Sequence, residues 1–164
     1  MKCLIEEKPM TKWDQRFCEL AEFVSEWSKD PRAKVGAVVV SRRGGDITVG
    51  YNGLPMGVED SDERLNDRDI KLEMIVHAEV NAILAAGLRA QGSTIYVWGK
   101  PVCSHCAGAI FQAGVKRVVA KSPESENSAN WRDSGKLAID MFKEAGIEVD
   151  FYVTVESVLP STSS

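Results

Sequence analysis

Residues 94–120 read TIYVWGKPVCSHCAGAIFQAGVKRVVA, and this stretch decides the fold. Thr94 to Trp98 is a short β-branched and aromatic run, which predicts a strand. Cys103 opens a helix that runs through Phe111 and is closed by Gly114, and Val115 to Ala120 is the next strand. Two strands joined by such a helix lie parallel, with a right-handed crossover. The unit then repeats. After the polar loop Lys121 to Ala129, a helix is expected over Trp131 to Ala145, with Leu137, Ile139, Met141 and Phe142 as buried candidates. Gly146 ends it, and Ile147 to Val153 is the last strand.

Upstream, Trp13, Phe17, Leu20, Ala21, Val24 and Trp27 recur at helical spacing, which predicts a helix over about Thr11 to Ser28, followed by Pro31. Val35 to Val40 reads as a buried strand. Arg42 to Asp46 is a turn and Ile47 to Tyr51 the returning strand of a hairpin. Asn52 to Gly57 is an ordered loop. Glu59 to Lys71, charged and poor in apolar residues, is expected to be a solvated excursion with room for a short helix. A helix then starts near His77 and ends at about Ala86, before Gly87. The order α-β-β-α-β-α-β-α-β predicts a single α/β domain over residues 1–164, a three-layer α/β/α sandwich on a five-stranded mixed sheet, with 1–9 and 161–164 frayed.

Length and charge fit this. The 164 residues are 44% hydrophobic and 27% charged, as in an ordinary globular domain. Twenty Lys+Arg against 24 Asp+Glu give a net charge of −4, the wrong sign for gripping a long nucleic acid. A small phosphorylated substrate needs only a local basic pocket. Met1 to Met10 holds no apolar core of signal-peptide length, and Val35 to Val40 is too short to span a bilayer, so a cytoplasmic protein without a membrane partner is expected.

The chemistry sits at two helix starts: His77-Ala78-Glu79 and Cys103-Ser104-His105-Cys106. One imidazole and two thiolates are three good zinc ligands, the number found in catalytic sites that keep a position open for water. A helix N-terminus favours anions, which lowers the cost of holding Cys103 and Cys106 as thiolates. Glu79, two residues after His77, is placed as a proton shuttle beside the ion. Zinc brings the pKa of a bound water down to roughly 7, so a nucleophile is available at neutral pH. The blander readings stand beside this one. A lone C-x-x-C could be a redox pair or a structural half-site; His77 and Glu79 in register favour catalysis. A closed structural zinc would need His105, Cys3 or Cys18 as a fourth ligand. Asn52, before Gly53, could simply serve its turn. Trp98 could be core, pocket wall or substrate stacker, and Trp131 pocket cover or interface.

H-x-E followed by P-C-x-x-C is the signature of zinc nucleobase deaminases. Ser28-Lys29-Asp30-Pro31, Val35-Gly36-Ala37, Tyr51-Asn52-Gly53-Leu54-Pro55-Met56-Gly57, His77-Ala78-Glu79-Val80-Asn81-Ala82-Ile83 and Gln112-Ala113-Gly114-Val115 appear in the order of the deoxycytidylate deaminases, which the chain resembles over nearly its whole length. That resemblance implies a cytidine deaminase-like fold, one catalytic Zn2+, and hydrolysis of dCMP to dUMP and ammonia. It places the substrate's sugar at Asn52 and its pyrimidine carbonyl at the backbone of Ala78. Lys29 and Arg32 are weaker candidates for phosphate or effector contacts, and Arg64 and Arg68 could reach a phosphate from a neighbouring subunit. The family further implies a homo-oligomer and effectors such as dCTP and dTTP.

Three departures accompany the resemblance. Val102 separates Pro101 from Cys103, which could shift a pocket wall. Val58 stands where some relatives carry a cysteine for a second zinc. Leu72 stands where an aromatic is often found. Rival readings are a deaminase of cytosine, cytidine or guanine, a tRNA adenosine deaminase, which the acidic balance disfavours, and a non-catalytic nucleotide-binding protein.

Overall fold

The computed structural model describes residues 9–153. Apart from Pro9, the expected frayed ends lie outside the described residues, as does Cys3. Helix α1 (Lys12–Ser25) starts at a capping box: the Thr11 hydroxyl accepts from the Asp14 N–H and the Asp14 carboxylate accepts from the Thr11 N–H, both at 3.1 Å. Cys18, Ala21 and Val24 are its buried apolar positions. Trp13 and Trp27, expected in that stripe, are 60% and 48% exposed. The helix instead turns Asp14 inward, where its carboxylate accepts from the Tyr96 hydroxyl (2.8 Å) and the Arg117 guanidinium (2.7 Å). Burial alone would raise the Asp14 pKa, but Arg117, Tyr96 and Thr11 together hold it well below the ordinary carboxylate value.

Strands β1 (Gly36–Val40), β2 (Ile47–Tyr51), β3 (Thr94–Trp98), β4 (Arg117–Lys121) and β5 (Glu148–Tyr152) form one sheet in the order β2-β1-β3-β4-β5. The β1–β2 hairpin is antiparallel, β1 also pairs antiparallel with β3, and β3, β4 and β5 run parallel. The mixed sheet is the one expected. Helices α4 (Ala78–Ala86), α5 (Ser104–Gln112) and α6 (Ala129–Glu144) cover one face, around Ala37, Val39, Ile95, Val97 and Val118. Helix α1 covers the other, over Val38, Val40, Tyr96 and Val119. The alternation of neighbouring residues between two clusters is the period of a strand packed on both faces. On α6 the buried line is Gly135, Ala138 and Phe142, while Leu137, expected inside, is 54% exposed.

The charged excursion folds into two short helices, α2 (Asp62–Asn66) and α3 (Arg68–Met74). It is not wholly solvated. Lys71 is buried and its ammonium donates to Asp30 at 2.9 Å. Helix α4 lies close on β2 because residue 50 is glycine: a Cβ there would stand 2.4 Å from the Ala82 nitrogen and 2.6 Å from the Ala78 oxygen. That contact sets the height of the helix that begins at His77. Among the described residues, no helix is long and apolar enough to cross a membrane.

Candidate active site

His77 is the N-cap of α4 and Cys103 the N-cap of α5. A cap residue has extended backbone, so each side chain stands beside its helix N-terminus. Cys106, one turn into α5, faces the same way, and the Cys103 sulfur accepts from the Cys106 N–H at 3.4 Å. His77 Nδ1 lies 3.3 Å from Cys106 Sγ and 3.6 Å from Cys103 Sγ, and the three donor atoms fall within 4.8 Å of one another. A tetrahedral zinc with ordinary Zn–N and Zn–S bonds separates such donors by about 3.6 Å, close to the two distances from His77 to the sulfurs, so the donor set suits that ion. His105 is exposed and stands outside the cluster; Cys18 is buried beneath α1, across the sheet. The neighbouring Cys106 and His77 hold the Cys103 thiol well below its usual value, while Cys103 and burial push the Cys106 thiol up. The His77 imidazole is raised by its hydrogen bond to Cys103, against the effect of burial.

Glu79 lies in the first turn of α4, is 3% exposed, and lines the cavity that opens beside His77. Burial pushes its carboxyl up to about 6, with the neighbouring His77 opposing. Ala78, fully buried, and Asn52 line the same cavity. The Asn52 carboxamide is engaged on both sides: its oxygen accepts from the Val35 N–H (2.8 Å), and its NH2 group donates to the Ala33 carbonyl (2.8 Å) and to Asp30 (3.5 Å).

The rest of the lining differs from what the sequence suggested. Lys29 and Trp98 are not part of it. Lys29 lies exposed and paired with Asp60 at 2.8 Å, beside a separate depression. Trp98 follows the strand alternation to the α1 face, stacked on Tyr152 at 4.6 Å between ring centroids. The aromatic wall is Trp131, whose ring centre is 6.3 Å from that of His77. Cations at the cavity are Arg32, Arg68, Lys71 and Lys100. Lys71 and Lys100 are committed to Asp30 and Glu126, whereas among the described residues Arg32 has no carboxylate partner and Arg68 meets only the exposed Asp69, at 3.6 Å. Arg64 instead donates to the Glu59 carbonyl.

Ser28 and Asp30 turn out to be scaffold. The Ser28 hydroxyl donates to the Asn52 carbonyl (2.8 Å), and Asp30 accepts from the backbone N–H groups of Arg32 and Ala33 as well as from Lys71. Lys71 and Lys100 escaped assignment to the substrate because their partners lie far away in sequence, whereas Trp131 stands on the cavity, in keeping with the pocket-cover alternative for it. A lysine in a densely charged stretch gives no local sign of burial.

The model of the cytidine and deoxycytidylate deaminase zinc-binding region matches residues 11–122. A protein described as an uncharacterized deaminase in the luxG 3′ region of Aliivibrio fischeri is 39% identical over 140 residues, covering 85% of this chain and 93% of its own. The human deoxycytidylate deaminase is 34% identical over 144 residues, 83% of this chain and 77% of its own. Among solved structures, the apo dCMP deaminase of cyanophage S-TIM5 superposes with a TM-score of 0.65 at 27% identity, over 88% of this chain and 100% of that one. The chain belongs to the cytidine and deoxycytidylate deaminase family, whose zinc-binding region carries His77, Cys103 and Cys106 here.

Proposed function

We propose that the protein hydrolyses dCMP to dUMP and ammonia, with Glu79 as the catalytic acid–base. The observation that carries this is one cavity lined by the buried Glu79 carboxylate, by His77 of the metal cluster, and by Arg32 and Arg68, which among the described residues are little committed to carboxylates. His77, Cys103 and Cys106 would hold a zinc ion, which when bound would supply Lewis acidity enough to bring a water's pKa to roughly 7. Glu79 then moves the protons. It takes one from the attacking water and delivers it to the ring nitrogen next to the amino-bearing carbon as the water oxygen bonds to that carbon, then takes the second from the new hydroxyl and gives it to the amine, so that the C–N bond breaks, ammonia leaves and the ring carbonyl forms. A carboxyl raised to about 6 by burial can accept and return a proton near neutral pH. The backbone of Ala78, at the start of α4 where helix N–H groups lack intrahelical partners, binds the pyrimidine carbonyl. Asn52, its NH2 group already given to Ala33 and Asp30, would meet a sugar hydroxyl through the second lone pair of its oxygen, and Arg32 and Arg68 take the phosphate, Arg by its planar fork.

The proposal extends to a single-domain, cytoplasmic homo-oligomer in pyrimidine nucleotide metabolism. Thiolate ligands and the unpaired Cys18 suit a reducing compartment. Exposed Phe23, Trp27 and Tyr51, in consecutive ring contacts of 5.9 Å beside the edge strand β2, offer a surface for a second copy. Effectors such as dCTP and dTTP would have the separate depression beside Lys29 and Asn81.

The test is ammonia release from dCMP, CMP, deoxycytidine, cytosine and guanine by zinc-loaded protein. Turnover of dCMP above the others is expected. Turnover confined to unphosphorylated compounds overturns the nucleotide assignment, and binding of zinc and dCMP without turnover of any compound overturns the reaction.

A further inference from the structure

Helix α6 reaches the metal centre by three contacts on one face. The Ser134 hydroxyl accepts from the Ser104 N–H at 3.0 Å, at the N-terminus of the helix that carries the thiolates. Gly135 packs so near the loops before and after β4 and α5 that a Cβ would stand 2.7 Å from Pro123 and 3.2 Å from Pro101. One turn earlier, Trp131 stands on the cavity lining beside His77. Residues 131, 134 and 135 share that face by helical spacing.

Lys100, which also lines the cavity, stands over the Trp131 ring with its ammonium 5.8 Å from the ring centroid. Lys100 in turn donates to both oxygens of Glu126 (3.2 and 3.1 Å). Glu126 is 8% exposed and is anchored further by Lys121 (3.2 Å) and the Asn127 N–H (3.2 Å). This is a built arrangement: a buried carboxylate, fixed by two other donors, fixes an ammonium that stands over an indole. Nothing in the proton chemistry of Glu79 requires it. Val102 is buried in the core, leaving Lys100 and Pro101 on the cavity side.

We propose that Trp131 is the specificity-determining wall against which the substrate's aminated heterocycle stacks, and that Lys100 and Glu126 are positioning residues that hold its ring. This rests on the deaminase reading, and the experiment separates the two. The probe is dUMP, titrated into the zinc-loaded full chain while tryptophan fluorescence is read, with steady-state deamination of dCMP alongside. Trp13, Trp27 and Trp98 lie away from the cavity, so dUMP should change the fluorescence of wild type and leave that of Trp131→Phe unchanged. Trp131→Ala should raise KM roughly 5- to 150-fold, the range that a base stacked on an aromatic carries, while kcat moves less. Glu126→Gln should raise KM and weaken the fluorescence response with zinc content unchanged.

Trp131→Phe, which keeps an aromatic face, should stay within about fivefold of wild type in KM, so the test survives if the alanine variant fails to fold. A dUMP response that persists in Trp131→Phe, or a KM within about twofold of wild type in a folded Trp131→Ala, overturns the wall. An unaltered response in Glu126→Gln overturns the positioning role. If dCMP is not turned over but cytidine, cytosine or guanine is, the nucleotide reading alone fails, and the same titration with uridine, uracil or xanthine decides the wall.

Discussion

Replacing Lys71 by methionine should detach α3 from the cavity and destabilise the whole chain. The Lys71 and Asp30 side chains are 7% and 4% exposed, with their charges 2.9 Å apart. Asp30 also accepts from the N–H groups of Arg32 and Ala33 at 2.8 and 3.1 Å, so it cannot swing out to water without undoing the turn that carries Arg32. Methionine fills similar space but leaves a buried carboxylate without its counter-charge. Removing one partner of such a pair costs about 3–5 kcal/mol. For a chain of this size that lowers Tm by roughly 6–20 °C. Arg68, three residues before Lys71 on the same helix, and Leu72 both line the cavity, so KM for a phosphorylated substrate should rise as well.

The double variant Lys71→Met/Asp30→Asn separates charge from packing. Its asparagine oxygen can still accept from the Arg32 and Ala33 N–H groups, and no ion remains buried. It should therefore regain much of the lost stability, because apolar replacement of a buried pair is often close to neutral. The assay is urea unfolding with KM for dCMP measured on the same preparations. A Lys71→Met variant within about 1 kcal/mol of wild type, or a double variant no more stable than the single one, would refute the idea that an unpaired charge is the cause.

Glu79→Ala should retain zinc, measured by metal analysis, while deamination falls by at least roughly 10²–10⁴-fold, the range of general acid–base catalysis. Asp14 and Asp30 are held below the ordinary value of 3.8, so their stabilisation is fully present above that pH and is lost as pH falls through their native values. Urea midpoints should thus be level with respect to these two groups from neutrality to about pH 5 and drop below about pH 4, and Arg117→Met should lessen the Asp14 share of that drop. Gly50→Ala should push α4 off β2, since its Cβ meets backbone atoms at 2.4 and 2.6 Å that cannot rotate away. A cost of about 1–3 kcal/mol or more, with weaker zinc retention, is expected from thermal unfolding with and without chelator.

The metal half of the site was legible in the sequence because helix starts are local events. His77 and Cys103 are caps, so a few neighbouring residues fix where their side chains point, and Glu79 and Cys106 follow at fixed helical offsets. The strands were legible for the same reason, each being a short apolar run between turn residues. Trp98 was open to assignment from its strand's own period. Tyr96, two residues back, shares its face, and that face belongs to α1. Nothing comparable marked Lys71. Its burial depends on Asp30, 41 residues earlier, and a lysine in a densely charged stretch reads as solvated whatever it later meets.

The two halves therefore differ in how they can change. Metal ligation depends on two helix N-termini whose geometry the backbone supplies, so substitutions elsewhere reach it mainly through the height of α4 over Gly50 or the hold of Ser134 on α5. The substrate half is assembled from Asp30–Lys71 on one side and Glu126–Lys100 on the other, each joining distant segments by charge. Such pairs contribute little net stability compared with an apolar core, yet losing one member of Asp30–Lys71 leaves the other charge buried, and losing Glu126 leaves Lys100 and Lys121 without their shared acceptor. A family member can thus keep the hydrolytic floor and exchange the walls only by replacing both members of a pair together. Lys71 with Asp30, and Lys100 with Glu126, are accordingly the positions where a change of preferred ring or phosphate should be sought as coupled substitutions, detectable as non-additive effects in double-mutant cycles.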